Sequence, residues 1–170
     1  MLQKVIEALD KKGEPYELLD LYAINYDPVL KPNELYSAGK KSIAPENQAV
    51  QEKIKSATKI VFIYPTWWNC PPAILKGFVD RVFTSGFAFY YKNGRPKPLL
   101  VGKKASVLCS CGGPSLLWFN TGAVTFLTQG VFKFCGIQSK AFLITHATKL
   151  TAGQKSKIDR AVRSALDYLA

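Results

Sequence analysis

The sequence predicts an α/β fold, a doubly wound parallel sheet with helices on both faces. Three observations carry this. Strand-like and helix-like segments alternate along the whole chain. The Ile- and Val-rich run 59–64 is continuously apolar after Lys59, as a strand buried on both faces must be. Helical stripes with apolar residues three and four apart stand between the strands, which is how parallel strands are connected.

Taken in order, residues 2–12 put Leu2, Val5, Ile6 and Leu9 on one stripe, and Gly13 supplies a stop. Residues 16–21 read as a short strand. Residues 23–46 form a long loop with Pro28, Pro32 and Pro45, of a length usually tied to function or motion. A helix is expected over 47–57 and a strand over 59–64. Pro71 or Pro72 opens the next helix, where a missing N–H costs nothing, and Ile74, Leu75, Phe78, Val79 and Val82 form its buried stripe. Residues 87–91 are extended and aromatic. A strand over 104–109 leads into the turn 111–114, and a helix over 121–134 ends at Gly136. A strand follows over 137–145. Thr151 and Gln154 resemble a capping box, opening a last helix with Ile158, Val162, Leu166 and Leu169 on one face. At 170 residues the chain is expected to be one domain, large enough to bury a core without disulfides.

The formal net charge of +11, from 23 basic and 12 acidic residues, favours anionic partners. The basic residues cluster at 92–104 and 149–163, broken by glycine, proline or apolar residues, and read as solvated faces. No nucleic-acid-binding motif accompanies them, so no nucleic-acid partner is expected. The cysteines Cys70, Cys109, Cys111 and Cys135 contain no C-x-x-C pair, the start does not read as a signal peptide, and no apolar run is long enough to span a bilayer. The expectation is a cytoplasmic protein with reduced thiols, not integral to a membrane, whose basic charge is compatible with peripheral association. Cys70, Cys109, Cys111 and His146 could supply zinc ligands, but their spacing is not that of a zinc module, and no metal is expected.

The most informative stretch is 64–77. A strand runs into a loop carrying Trp67 and Trp68 beside Pro65, Thr66 and Asn69, and that loop runs into the proline-opened helix. Strand C-termini open onto the ligand crevice of a parallel sheet, and two adjacent indoles make a flat apolar wall suited to a flat aromatic ligand. A second unusual turn, Ser110, Cys111, Gly112 and Gly113 before Pro114, follows the strand 104–109. Consecutive strands usually neighbour one another, so both turns should line one crevice, with the Gly-Gly pair offering bare backbone N–H groups.

Residues 64–89, YPTWWNCPPAILKGFVDRVFTSGFAF, resemble the flavodoxin-like NAD(P)H:quinone oxidoreductase family, the group that includes DT-diaphorase and the bacterial modulator-of-drug-activity proteins. The family's P-x-x-W loop, P-A-x-L-K-G helix, D-R pair and G-F-A run are all present. Residues 109–114 sit at its Thr-Thr-Gly-Gly turn, 134–137 match its Phe-Cys-Gly signature, and 26–30 match its F-D-P-V-L loop. The resemblance implies a bound flavin, FMN by the modest length with FAD as the alternative, and NAD(P)H as co-substrate. A hydride would pass through the flavin to a quinone or similar aromatic acceptor.

By position, Pro65, Thr66, Trp67, Trp68 and Asn69 would lie against the flavin, and Ser110, Cys111, Gly112 and Gly113 along its other edge. Trp68, Trp118, Phe119 and Asn120 would form the substrate pocket. The flavin carries the chemistry, so no catalytic side chain is named. The resemblance also implies a homodimer, with Phe87, Phe89 and Tyr90 as interface aromatics. Two departures stand out. After the Gly-Gly turn, where some members have a tyrosine and a histidine, this chain has Trp118, Phe119 and Asn120 and no histidine. It also begins inside the helix that follows the family's phosphate loop, so the first strand of the fold is expected to be missing. The alternative reading is a non-catalytic ancillary protein of the same fold that binds a partner, with flavin binding weakened or lost.

Overall fold

In the computed structural model the described residues are 1–35, 42–114 and 121–170. Three strands, β1 (Lys59–Pro65), β4 (Lys104–Ser110) and β5 (Gln138–Ile144), pair in parallel in the order β1-β4-β5. Lys59 stands opposite Lys104, and Lys104 opposite Gln138, so all three strands start level and end level. Parallel strands need crossover helices, and these cover both faces. On one face α1 (Leu2–Lys12) and α6 (Ala152–Leu169) enclose Val5, Leu108, Ile144, Val162 and Leu166. The other face is covered by α2 (Pro45–Ser56), α3 (Ala73–Val82), and the run formed by α4 (Thr121–Thr125), a π-helical stretch (Phe126–Phe132) and α5 (Lys133–Cys135), around Phe78, Val107, Leu127 and Phe132.

The element expectations hold within a residue or two, including the stops at Gly13 and Gly136, both left-handed. Residues 16–21 are a correction. They form no ladder, and Tyr16, Leu18 and Leu19 are exposed. A strand exists only through its neighbour, and among the described residues none lies beside either this segment or the free edge of β1. Ion pairs from Glu14 to Lys59 and from Glu17 to Lys53 hold the segment, and Asp20 ends it by accepting from the N–H groups of Tyr22 and Ala23. The consequence shows in burial. The side chains of β4, paired on both edges, are buried from Ala105 to Cys109, whereas the equally apolar Ile60 to Ile63 of β1 remain half-buried.

The extended 87–91 segment belongs to a hairpin, β2 (Phe89–Lys92) with β3 (Arg95–Pro98). Its tip, Asn93-Gly94, has positive φ at both positions, as a two-residue hairpin requires. The capping box is half formed. Thr151 Oγ accepts from the Gln154 N–H at 3.2 Å, but the Gln154 side chain turns to the carbonyls of Thr145 and His146. No described helix is long and apolar enough to cross a membrane.

Candidate functional site

Both singled-out turns leave the same end of the sheet, because β1 and β4 run parallel and in level register. They are tied together where they start. The Thr66 N–H donates to the Ser110 carbonyl at 2.7 Å, and the Thr66 hydroxyl donates to the same oxygen at 3.0 Å.

Beyond Thr66 the chain folds back in a tight hairpin-type turn. Trp67 and Cys70 exchange both backbone hydrogen bonds at 2.9 Å, leaving Trp68 and Asn69 as the central residues with φ of 50° and 61°. This left-handed region is tolerated by Asn and unusual for Trp, a form of strain that concentrates at functional sites. Asn69 fixes the turn to the helix run. Its Oδ1 accepts from the Ala123 N–H at 3.0 Å, and Gly122 lets the backbone come so close that a Cβ there would meet the Asn69 carbonyl at 2.5 Å. Tyr64, buried at the end of β1, donates its hydroxyl to the Ala123 carbonyl at 2.8 Å. The turn backbone is thus held from two sides while its indoles stand free: Trp67 is 65% exposed and Trp68 99% exposed.

The second turn is stitched to the exit of β5. Cys111 donates its N–H to Ile144 and accepts from Ala147, both at 2.9 Å, and the Gly113 carbonyl accepts from the His146 N–H at 3.1 Å. His146 itself sits at φ 55°. Gly112 and Gly113 are exposed, and a Cβ on Gly112 would touch Thr148 at 3.0 Å. The N–H groups of Trp68, Asn69, Gly112 and Gly113 bond to no described residue. The two turns therefore combine an exposed apolar wall with backbone donors that no described residue uses.

Titratable chemistry here is sparse. Burial pushes the Cys109 thiol up to about 12 and raises that of Cys111, so neither is a thiolate at neutral pH. Burial also raises Tyr64, whose hydroxyl is already spent on Ala123. No group of three or more metal-ligating side chains gathers among the described residues. Of the expected site residues, Pro65 to Asn69 and Ser110 to Gly113 lie on these two turns, whereas Trp118, Phe119 and Asn120 fall outside the described residues. Sequence reasoning missed Tyr64, Gly122, Ala123 and Gln154 as supports of the turns. They act through contacts between distant segments, and no local pattern marks them.

A cleft of about 330 Å³ lies elsewhere, lined by Leu30, Glu34, Phe83, Phe89, Val131 and Phe134 among others. Its carboxylate Glu34 is committed to Arg81, and no residue of either turn lines it. The exposed indoles, and backbone donors that no described residue uses, make the turns the better candidate.

Several known proteins are similar to this chain. An uncharacterized NAD(P)H oxidoreductase of Haemophilus influenzae is 35% identical over 127 residues, covering 72% of this chain and 63% of that protein. NAD(P)H dehydrogenase [quinone] 1 of Rattus norvegicus is 29% identical over 162 residues, covering 81% of this chain and 59% of that protein. The chain thus spans about three-fifths of the length of these relatives. The solved structure of an NAD(P)H:quinone oxidoreductase from Methanothermobacter marburgensis superposes with a TM-score of 0.79 at 27% identity, covering 96% of this chain and 87% of that one. The family model described as flavodoxin-like fold matches residues 1–169, and with the parallel sheet and its paired turns this makes the chain a member of that family.

Proposed function

We propose that the chain, as one flavodoxin-like domain, binds a flavin between the two turns and works as an NAD(P)H-dependent oxidoreductase on a quinone-type aromatic acceptor. The observation that carries this reading is the exposed Trp67–Trp68 pair on a fixed turn, next to four backbone donors that no described residue uses. An aromatic surface left 99% exposed at Trp68 contributes nothing to the core, and a flat heteroaromatic ring is what it would cover. The donor set fits the group. The N–H groups of Gly112 and Gly113, with those of Trp68 and Asn69, suit the carbonyl and ring-nitrogen edge of an isoalloxazine, and would stabilise negative charge there. Bound flavin would supply hydride acceptance from NAD(P)H and hydride donation to the acceptor. The chain's part is to bind the ring, orient it and exclude water with the two indoles. The raised thiols and the bonded Tyr64 hydroxyl hold their protons, so the proton that accompanies the hydride to the acceptor would come from solvent.

The relatives' names support the co-substrate and acceptor class. FMN is the flavin in this reading with FAD as the alternative, and the +11 charge favours NADPH through its extra phosphate. A homodimer and a cytoplasmic setting complete the reading. Of the expected interface aromatics, Phe89 packs on Phe134 at 4.7 Å between ring centres, Phe87 is half-buried, and Tyr90 is exposed. The test is an absorbance spectrum of the purified chain with added FMN or FAD. A flavin band retained through gel filtration, bleached by NAD(P)H and restored by a quinone, is the expected outcome. A chain that takes up neither flavin overturns the reading in favour of the non-catalytic alternative.

A further inference from the structure

Among the described residues β1 ends the sheet, and its outer side has a definite hydrogen-bonding pattern. The Thr58 carbonyl accepts from the Lys104 N–H at 3.0 Å, and the Thr66 N–H donates to the Ser110 carbonyl at 2.7 Å. Successive residues of a strand turn their main-chain groups to opposite sides, so the even-numbered residues of β1 face β4. The N–H and carbonyl groups of Lys59, Val61 and Ile63 therefore point away from β4, and no described residue bonds to them. Pro65 is next in that row and has no N–H to offer, and a proline within a strand belongs on an edge.

Apolar side chains flank this edge on both faces. Val61 and Ile63 belong to the cluster around Val5 of α1, and Ile60 and Phe62 to the one that holds Val50 and Ile54 of α2. All four stay half-buried. The segment 14–21 lies along the same flank, tied to it by the ion pairs from Glu14 to Lys59 and from Glu17 to Lys53. The N–H groups of Tyr16 to Leu21 also bond to no described residue, and Tyr16, Leu18 and Leu19 are exposed. The flank thus presents two runs of backbone without partners among the described residues, apolar side chains, and charges at 14, 17, 53 and 59 that are matched within it.

We propose that the free edge of β1 binds an extended, uncharged segment of another polypeptide, which joins the sheet as an added strand. Its ladder forms with the main-chain groups of Lys59, Val61 and Ile63, and its length matches the seven residues of β1. A row of main-chain donors and acceptors selects a strand over a helix or a lipid, neither of which has backbone groups to return. Apolar side chains on both faces of β1 select a segment that is apolar throughout, as strands covered on both faces are. The ion-paired flank selects an uncharged one, because a charge brought there meets no free counter-charge at 14, 17, 53 or 59. This binding goes beyond the flavin reading and does not depend on it.

The probe is a labelled peptide of alternating valine and isoleucine, as long as β1, with glycine and serine at its ends. The control is the same peptide with a proline at its centre, which keeps the apolar surface and loses a ladder N–H. Both are titrated into the full chain without flavin, and amide hydrogen exchange is followed residue by residue. At about 100 times its dissociation constant the first peptide should slow exchange at Val61 and Ile63 on the order of 100-fold. The proline peptide should bind about tenfold more weakly. Val61→Pro removes one outward N–H and leaves the bonds to β4 in place, so it should weaken the first peptide by about the same factor. A melting curve shows whether that variant is folded, and the proline peptide carries the comparison if it is not. Equal binding of the two peptides, or binding that leaves Val61 and Ile63 unprotected, overturns the proposal. So does a chain that binds neither peptide, or one in which both amides are already protected without peptide and the protection fades on dilution, the edge then being covered by a second copy.

Discussion

Two loops of this chain carry family-type motifs and are built in opposite ways. The loop around Tyr26–Glu34 is anchored in the molecule through Tyr26, Pro28 and Glu34. Tyr26 is buried edge-on against Phe78, with its hydroxyl on Asn47 Oδ1 at 2.8 Å. Gly77 gives Pro28 the space a side chain would occupy, since a Cβ there would lie 2.1 Å from the Pro28 carbonyl oxygen. Arg81, with its side chain 3% exposed, grips both oxygens of Glu34 and donates to the Asp27 carbonyl. The tryptophan turn has an equally fixed backbone, yet Trp67 is mostly exposed and Trp68 almost wholly so. Motif residues in the first loop hold the fold, and those in the second present a surface. Substitutions should separate the two by what they damage.

The largest effect is expected at Arg81. Arg81→Met leaves the Glu34 carboxylate buried without its partner and should cost about 3–5 kcal/mol in a denaturant titration. Gly77→Ala comes next. The methyl must displace the Pro28 backbone, costing about 2–3 kcal/mol against the small helix-propensity gain of alanine. The same ion pair sets a pH dependence. Burial alone would raise Glu34, but its bonds from Arg81 and from the Lys31 N–H outweigh that and leave its pKa below the usual carboxylate value. A depressed pKa means the contribution is complete above the ordinary carboxylate pKa and fades as pH falls toward the folded value. The stability gap between the native chain and Glu34→Gln should therefore be constant near neutrality and close on acidification.

These effects rest on contacts that the sequence makes legible only in part. Leu2–Lys12 and its Gly13 stop, the three parallel strands and the proline-opened α3 are local patterns and can be read directly. The Asn93-Gly94 dipeptide is a strong hairpin signal, readable as the β2–β3 turn although only the first strand was expected. Residues 16–21 have strand-like composition, but a strand needs a neighbour, and pairing is a property of the assembled sheet. The grip of Arg81 on Glu34 spans 47 positions and that of Asn69 on Ala123 spans 54, distances at which one sequence carries no pairing signal. The exposure of Trp67 and Trp68 follows from their place between polar and proline residues.

Smaller stability effects fall on the second loop. Asn69→Ala removes the bond to the Ala123 N–H and the residue most at ease with φ 61°, which should cost about 1 kcal/mol and loosen the turn. Trp68→Ala should change stability by less than about 0.5 kcal/mol, because the side chain is 99% exposed.

Trp68→Ala is therefore the most direct test of the division between the two loops. Its melting temperature and its flavin affinity, by titration of flavin fluorescence, are to be measured beside those of the native chain. An unchanged melting temperature with flavin affinity lowered on the order of tenfold is the predicted result, the loss expected for one stacking surface. A variant that melts earlier and binds flavin as the native chain does would contradict the account and return Trp68 to the scaffold.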